Sequence, residues 1–353
     1  MKKLKTIGIA LITLTVFSCS NSDDTTITNN MNIETLLEEI NFNGYAIITK
    51  NGTDVVRKGY GLANTGTGLA QAATLQYRLG SVSKTLTAAG IVQLKRDGLI
   101  TGFNQTIADF DPEFPNGNQI TLAQLLSHQS GIPDYLSYVE DDAFNGTEFT
   151  ATTLYEVIET IVAQEGLLFT PGMQKQYSNS NYVLLALLIQ EVSGTDYYQY
   201  ITQNVLTPLG MTSTEKGANA INTSVHAEGY NHSTPASDYP IEITFGAGDW
   251  SSTPNDMELW ADAAKNAWFT TEEKALIFAT NVEDGYTDYG LGWFTSQESD
   301  TTLYWHGGDI NGYWSMIGFM PKYNSTIVLL SNNQGDAYSS QRNTILEALM
   351  TSF

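Results

Sequence analysis

Arg78-Leu-Gly-Ser81-Val-Ser-Lys84 runs without a break into Thr85-Leu-Thr-Ala-Ala-Gly-Ile-Val-Gln-Leu-Lys-Arg96 and then meets Asp97-Gly98. Leu86, Ala88, Ala89, Ile91, Val92 and Leu94 leave little polar surface, which marks a buried helix over Val82 to Asp97. Lys95-Arg96 and Gly98 stand where a helix C-terminus favours cations and a glycine. Ser81 opens this helix, so its N–H lies among the unpaired donors of the first turn. Lys84, three residues on, shares its face. In apolar surroundings its ammonium loses hydration, which favours a neutral amine able to take a proton. Taken alone, the pair reads as an N-cap serine beside a structural lysine. A second Ser-x-x-Lys, Ser213-Thr-Glu-Lys216, runs into Gly217 with no apolar helix behind it.

On either side of this helix the pattern changes. Tyr45 to Thr49 and Asp54 to Tyr60 flank Lys50-Asn51-Gly52-Thr53, and Asn-Gly between β-rich runs predicts a hairpin because both residues accept positive φ. Glu34 to Ile40 reads as a short helix before it. Leu291 to Thr295, Thr301 to Trp305, Tyr313 to Met320 and Thr326 to Ser331 read as strands, and Ser340 to Met350 as a closing helix. The middle is helical over Leu122 to Ser127, Thr153 to Gln164, Tyr182 to Val192 and Tyr197 to Val205. Strands, helices, then strands again predict an α+β fold of the α/β sandwich type. One antiparallel sheet is built from both chain ends and flanked by helices, with a mainly helical lobe inserted. The sheet lobe covers about 31–80 and 240–353, the helical lobe about 81–239.

Two further motifs follow in order. Tyr177-Ser178-Asn179 lies between Pro171-Gly172 and the helix near Tyr182; Tyr177 would relay the serine proton as phenol or phenolate, Asn179 would donate an amide to substrate, and Asn179 or Ser180 would otherwise cap the helix. His306-Gly307-Gly308 follows Tyr304-Trp305, and glycines at a strand end permit close approach of backbone to ligand. An edge strand there would set the Asp309 N–H opposite the Ser81 N–H, two donors for a tetrahedral oxyanion. His128, in Leu125-Leu-Ser-His-Gln-Ser-Gly131, reads as structural, and His226 and His232 have no metal-like partner. No Cys/His/Asp cluster has zinc spacing and no glycine-rich phosphate loop follows a strand, so neither a metal nor a cofactor is expected.

With these motifs the chain resembles the penicillin-recognising serine hydrolases: class C β-lactamases, serine D,D-peptidases, and their esterase and aminopeptidase relatives. The resemblance runs from about Gly44 to the C-terminus. It also includes Lys58-Gly-Tyr-Gly-Leu-Ala63, Leu125 to Asp134, Pro208-Leu-Gly-Met211 and Gly246-Ala-Gly-Asp-Trp-Ser-Ser-Thr253. It implies a Ser81 nucleophile with Lys84 as partner, Tyr177 as general acid/base and Asn179 orienting the acyl side. It also implies an oxyanion hole of the Ser81 and Asp309 N–H groups, with His306, Gly307 and Gly308 meeting substrate. Lys-Thr-Gly is usual at the third motif in class C β-lactamases. His306-Gly307-Gly308 shifts the expectation from a β-lactam toward a D-amino-acid peptide or an ester. The alternative is a penicillin-binding or surface protein that does not hydrolyse.

Lys2, Lys3 and Lys5, an uncharged run from Thr6 to Phe17, and Ser18-Cys19 read as a secretory signal over 1–19. Cys19 stands where bacterial lipoproteins carry their lipid, the other reading being an incidental cysteine. Residues 20–30 are a polar tether, and the hydrolase domain is expected over 31–353. With 38 acidic against 16 basic residues and a net charge of −22, the surface repels nucleic acid and anionic lipid. The expected partners are therefore a small-molecule or peptide substrate, with a membrane met only through the lipid anchor. A monomer is expected, exported to the periplasm or cell surface. Its lone cysteine allows no internal disulfide.

Overall fold

A computed structural model of the chain describes residues 32–277, 288–290, 292–335 and 337–352. The expected signal, Cys19 and the tether lie outside these residues, as does Leu291. The chain from Met31 to Phe353 forms one compact unit.

Its frame is an antiparallel sheet of seven strands: β1 (Gly44–Lys50), β2 (Thr53–Tyr60), β3 (Asp288–Gly290), β4 (Trp293–Glu298), β5 (Thr301–Ile310), β6 (Tyr313–Met320) and β7 (Ser325–Ser331). Their order is β3-β4-β5-β6-β7-β1-β2, so the N-terminal hairpin pairs with the last strand, Ile47 opposite Val328. Asn51 (φ +53°) and Gly52 (φ +74°) make the predicted hairpin turn.

Alternation divides the sheet into two apolar faces. Ala46, Ile48, Trp314, Met316, Ile327 and Leu329 pack with α1 (Ile33–Glu39) and with Ile345 and Leu349 of the closing helix Tyr338–Ser352. Ile47, Ile317, Phe319, Val328 and Leu330 face the larger core, packing on the helix Pro254–Asn266, and that core also takes in the apolar side chains of α2 (Ser83–Arg96). Eleven of the residues of α2 are buried, Lys84 among them. Its Leu, Ile and Val side chains contribute roughly 1.5–3 kcal/mol each by leaving water, and the helix stops at Gly98, φ +72°. In its middle, Gly90 is required by packing: a Cβ would fall 2.6 Å from Ile201 Cδ1 and 2.8 Å from Ile189 Cδ1. Further helices are α3 (Leu122–Leu126), α4 (Ala151–Glu165), α5 (Ser180–Ser193) and α6 (Pro254–Asn266), with Tyr338–Ser352 as α7.

Two expectations change. Tyr197–Val205 is not one regular helix: an α-turn over Tyr197–Ile201 passes into a π-turn over Thr202–Leu206. Strand β5 does not stop at Trp305 but continues through His306-Gly307-Gly308 to Ile310, because β6 supplies a full ladder opposite it.

Candidate active site

The site forms where the turn before α2 is pressed against β5. Gly80–Val82 is a 3₁₀ turn, with Gly80 at φ +53°. A Cβ at Gly80 would lie 2.8 Å from the Asp309 nitrogen, and one at Gly308 only 1.9 Å from the Leu79 oxygen and 3.0 Å from the Ser81 nitrogen. Both glycines are there for close approach, and the Ser315 hydroxyl fastens the contact by donating to the Leu79 carbonyl at 2.6 Å. The two-residue turn Asn311-Gly312 makes Ile310 and Tyr313 a hydrogen-bonded pair. Asp309, opposite Trp314, is then a non-bonded position whose N–H points out of the ladder, toward the Ser81 turn.

Lys84 lies beneath Ser81 and is fully buried. Its Nζ donates to Ser81 Oγ at 3.0 Å, to Asn179 Oδ1 at 2.7 Å and to the Ala247 carbonyl at 2.7 Å. Burial lowers its pKa to about 7, against the opposing pull of the Asp134 and Asp249 charges. At neutral pH much of it is a free amine able to accept the serine proton.

Asn179 is the N-cap of α5 by position, yet its side chain does not cap the helix. Its carboxamide bridges two groups instead, accepting from Lys84 and donating to Asp134 Oδ2 at 2.8 Å, while its backbone N–H donates to the same oxygen at 2.9 Å. A donor on one side and a carboxylate on the other leave one amide orientation.

Tyr177 borders the same cleft as Ser81, close enough for the serine hydroxyl to act on its phenol, and is 38% exposed. Loss of hydration around its hydroxyl holds the phenol well above the usual tyrosine value, so it is a proton donor rather than a phenolate. Its ring lies 4.2 Å from that of His128, and the Lys84 amine sits 4.9 Å from the Tyr177 centroid.

His306 lines the cleft as a buried residue. Even-numbered positions of β5 turn inward, and the residue is 1% exposed although it borders the cleft. Its Nε2 is 3.0 Å from the Tyr289 hydroxyl. Burial, then the nearby Lys84 charge, lowers its pKa to about 3, so the ring is neutral. Gly308 likewise faces the Ser81 turn rather than open space, while Gly307 lies under Arg342, whose Nη1 would be 3.0 Å from a Cβ there.

The sequence reading gave three residues around the site no role, and His128 only a structural one. Asp134 fixes Asn179. His128, at φ +57° and 1% exposed, accepts the Ser178 N–H at 3.2 Å and supports Tyr177. Tyr289 packs 4.5 Å from His128. Arg342 of α7 reaches across to the Asp309 carboxylate at 2.9 Å. Asp134 and His128 stood inside a quoted motif; Arg342 gave no local signal. The second Ser-x-x-Lys is elsewhere: Glu215-Lys216 forms an exposed strand, and the Ser213 N–H is held by Asp256.

Two cavities meet at Ser81 and Asp309. The inner, about 80 Å³, is bordered by Asn179, Tyr135 and Tyr239; the outer, about 250 Å³, by Tyr177, Trp305 and Arg342. Among the described residues no group of His, Cys, Asp and Glu is placed to hold a metal ion, and no helix is long and apolar enough to cross a membrane.

A sequence model of the family described as Beta-lactamase matches residues 30–350. The chain is 30% identical over 329 residues to PbpX of Bacillus subtilis, which carries a penicillin-binding name; the match covers 92% of this chain and 79% of PbpX. It is 33% identical over 303 residues to flp of Staphylococcus aureus, covering 81% of this chain and 58% of flp, so it spans less than two thirds of that relative. The fold is similar to that of the D-amino acid amidase of Ochrobactrum anthropi SV3, with a TM-score of 0.76 at 22% identity, over 92% of this chain and 99% of the amidase.

Proposed function

The chain belongs to the beta-lactamase family, and on that premise we propose that it is a serine hydrolase that opens amide and ester bonds through an acyl-enzyme on Ser81. One observation carries the reading: a fully buried lysine amine with a pKa near 7, 3.0 Å from a serine hydroxyl at a helix start.

Neutral Lys84 takes the Ser81 proton as Oγ bonds to the carbonyl carbon, and the carbonyl electron pair moves onto oxygen. The Ser81 and Asp309 N–H groups receive that oxyanion. When the tetrahedral species collapses, the bond to the leaving nitrogen or oxygen breaks. The leaving atom takes a proton from Tyr177, which is resupplied from the Lys84 ammonium. Water then attacks the Ser81 ester, the acid departs, and Ser81 regains its proton.

For substrate we favour a D-amino-acid peptide or amide, or a small ester, over a β-lactam. Neutral His306 offers no cation to a β-lactam carboxylate, and Arg342 is already engaged by Asp309. The D-amino acid amidase among its fold relatives supports an amide. Intact-mass measurement of the purified domain with a chromogenic ester, a D-Ala-D-Ala peptide and a penicillin is the test. A transient adduct lost in Ser81→Ala and in Lys84→Ala is expected. No adduct and no turnover with any of the three refutes the enzyme reading, and an adduct that never clears identifies a non-hydrolysing binder. We further propose export and anchoring through a lipid on Cys19, for which unchanged membrane fractionation of Cys19→Ser would be the contrary result.

A further inference from the structure

We propose that Ser81 accepts only small acyl groups, of the size of acetyl, propionyl or alanyl, and that its leaving groups carry a flat apolar portion. The proposal rests on the acyl-enzyme reading above and adds the substrate class.

The two cavities assign the two ends of the substrate. Ser81 and Asp309 border both, so the carbonyl under attack sits at their junction. Tyr177, which protonates the departing atom, borders the outer cavity, and Asn179 borders the inner one. The leaving group therefore lies outward and the acyl group inward.

The inner cavity, about 80 Å³, is less than a third the size of the outer one at about 250 Å³. Its walls are held from behind. Tyr135 is fully buried and its hydroxyl donates to the Ile243 carbonyl; Tyr239, 7% exposed, rests edge-on against Phe144 at 5.5 Å. Ile310, 6% exposed, closes the floor as part of β5. A longer acyl chain would have to displace packed aromatic rings, an overpacking cost that cores resist.

The outer side is built differently. Phe294 and Trp305 stack with centroids 4.9 Å apart and planes 26° from parallel, and the indole N–H is fixed to Ser296 Oγ at 3.0 Å. This pair borders the outer cavity and also a further hollow of about 460 Å³ that runs along α7 past Leu346 and Met350. A held aromatic pair between two open spaces is a platform on which a flat apolar group stacks.

The test is a series of 4-nitrophenyl acetate, propionate and hexanoate, read as kcat/KM and as intact mass of Ser81. Acetate and propionate should exceed hexanoate by about 100-fold. Tyr239→Ala should raise the hexanoate-to-acetate ratio by about tenfold or more, and Leu136→Ala, at the same cavity, serves where the first variant does not fold. Phe294→Ala should raise KM for 2-naphthyl acetate about tenfold more than KM for methyl acetate. Equal rates for acetate and hexanoate with acyl adducts of both overturn the size assignment alone. An absence of any adduct overturns the hydrolase reading beneath it. A Phe294 variant that treats naphthyl and methyl esters alike overturns the platform.

Discussion

Replacing Asp134 by Asn separates two roles that the site combines. Asp134 receives the backbone N–H and one side-chain N–H of Asn179, and Asn179 in turn receives the Lys84 amine. The Asp134 charge also favours the Lys84 ammonium, opposing the larger effect of burial. Two hydrogen bonds and the width of a carboxamide put carboxylate and amine about 7 Å apart, for which an effective dielectric constant near 20 gives about 2 kcal/mol. That corresponds to roughly 1–2 pKa units. The sign follows from the charge: without Asp134 the ammonium loses a partner, so a pKa already lowered to about 7 falls further. Acylation needs the amine, so its rate rises with pH through the Lys84 pKa. The rising limb, near pH 7 in the native protein, should move to about pH 5–6 in Asp134→Asn. The plateau should drop by about 10–100-fold, because a misplaced Asn179 no longer holds Lys84 against Ser81. Stopped-flow acylation by a chromogenic ester between pH 4.5 and 9 reads both. A limb that stays near 7, or moves alkaline, refutes the electrostatic reasoning whatever happens to the plateau.

Three further outcomes are expected. Gly308→Ala places a methyl against the Leu79 carbonyl and should part the two oxyanion donors, lowering kcat by about 100-fold or more; Gly307→Ala, which meets only the movable end of Arg342, should cost far less, and equal losses in kcat would argue against this geometry. His128→Asn tolerates the positive φ but removes the ring under Tyr177, so kcat should fall about tenfold while the rising limb stays near pH 7; an acid shift like that of Asp134→Asn would contradict a purely positioning role. Asp309→Ala keeps the backbone N–H and releases Arg342, so acylation by D-Ala-D-Ala, whose acyl part is alanyl and whose leaving group ends in a carboxylate, should quicken by roughly 3–10-fold, read as released D-alanine; a slower rate would show that Arg342 does not reach the carboxylate.

Much of the fold was legible because its signals are local. Asn51-Gly52 gave the first turn of the sheet, and Tyr313 to Met320 forms a strand with the bounds read from sequence. The apolar run after Ser81 gave α2 to within a residue at each end. Ser81 and Lys84 are one helical turn apart, so their meeting needed only the helix. His306-Gly-Gly was harder: glycines weaken strand propensity, and only pairing with β6 and pressure from the Ser81 turn keep β5 extended there. Asp134 and Arg342 were beyond reach because their roles arise across gaps of 45 and 33 residues. The neutrality of His306 was hidden for a related reason, since burial of an imidazole is a property of the assembled core.

The pairing of β1 with β7 also governs when the protein can come into being. The opening hairpin waits for Ser325–Ser331 before it gains its sheet neighbour, nearly the whole chain later. Contacts this distant in sequence make folding slow and defer it until synthesis is nearly complete. The oxyanion donors are split the same way, with Ser81 early and Asp309 late. On the proposed mechanism, a truncated or still-emerging chain therefore carries Ser81 and Lys84 without the Asp309 N–H, and activity waits for the C-terminal strands.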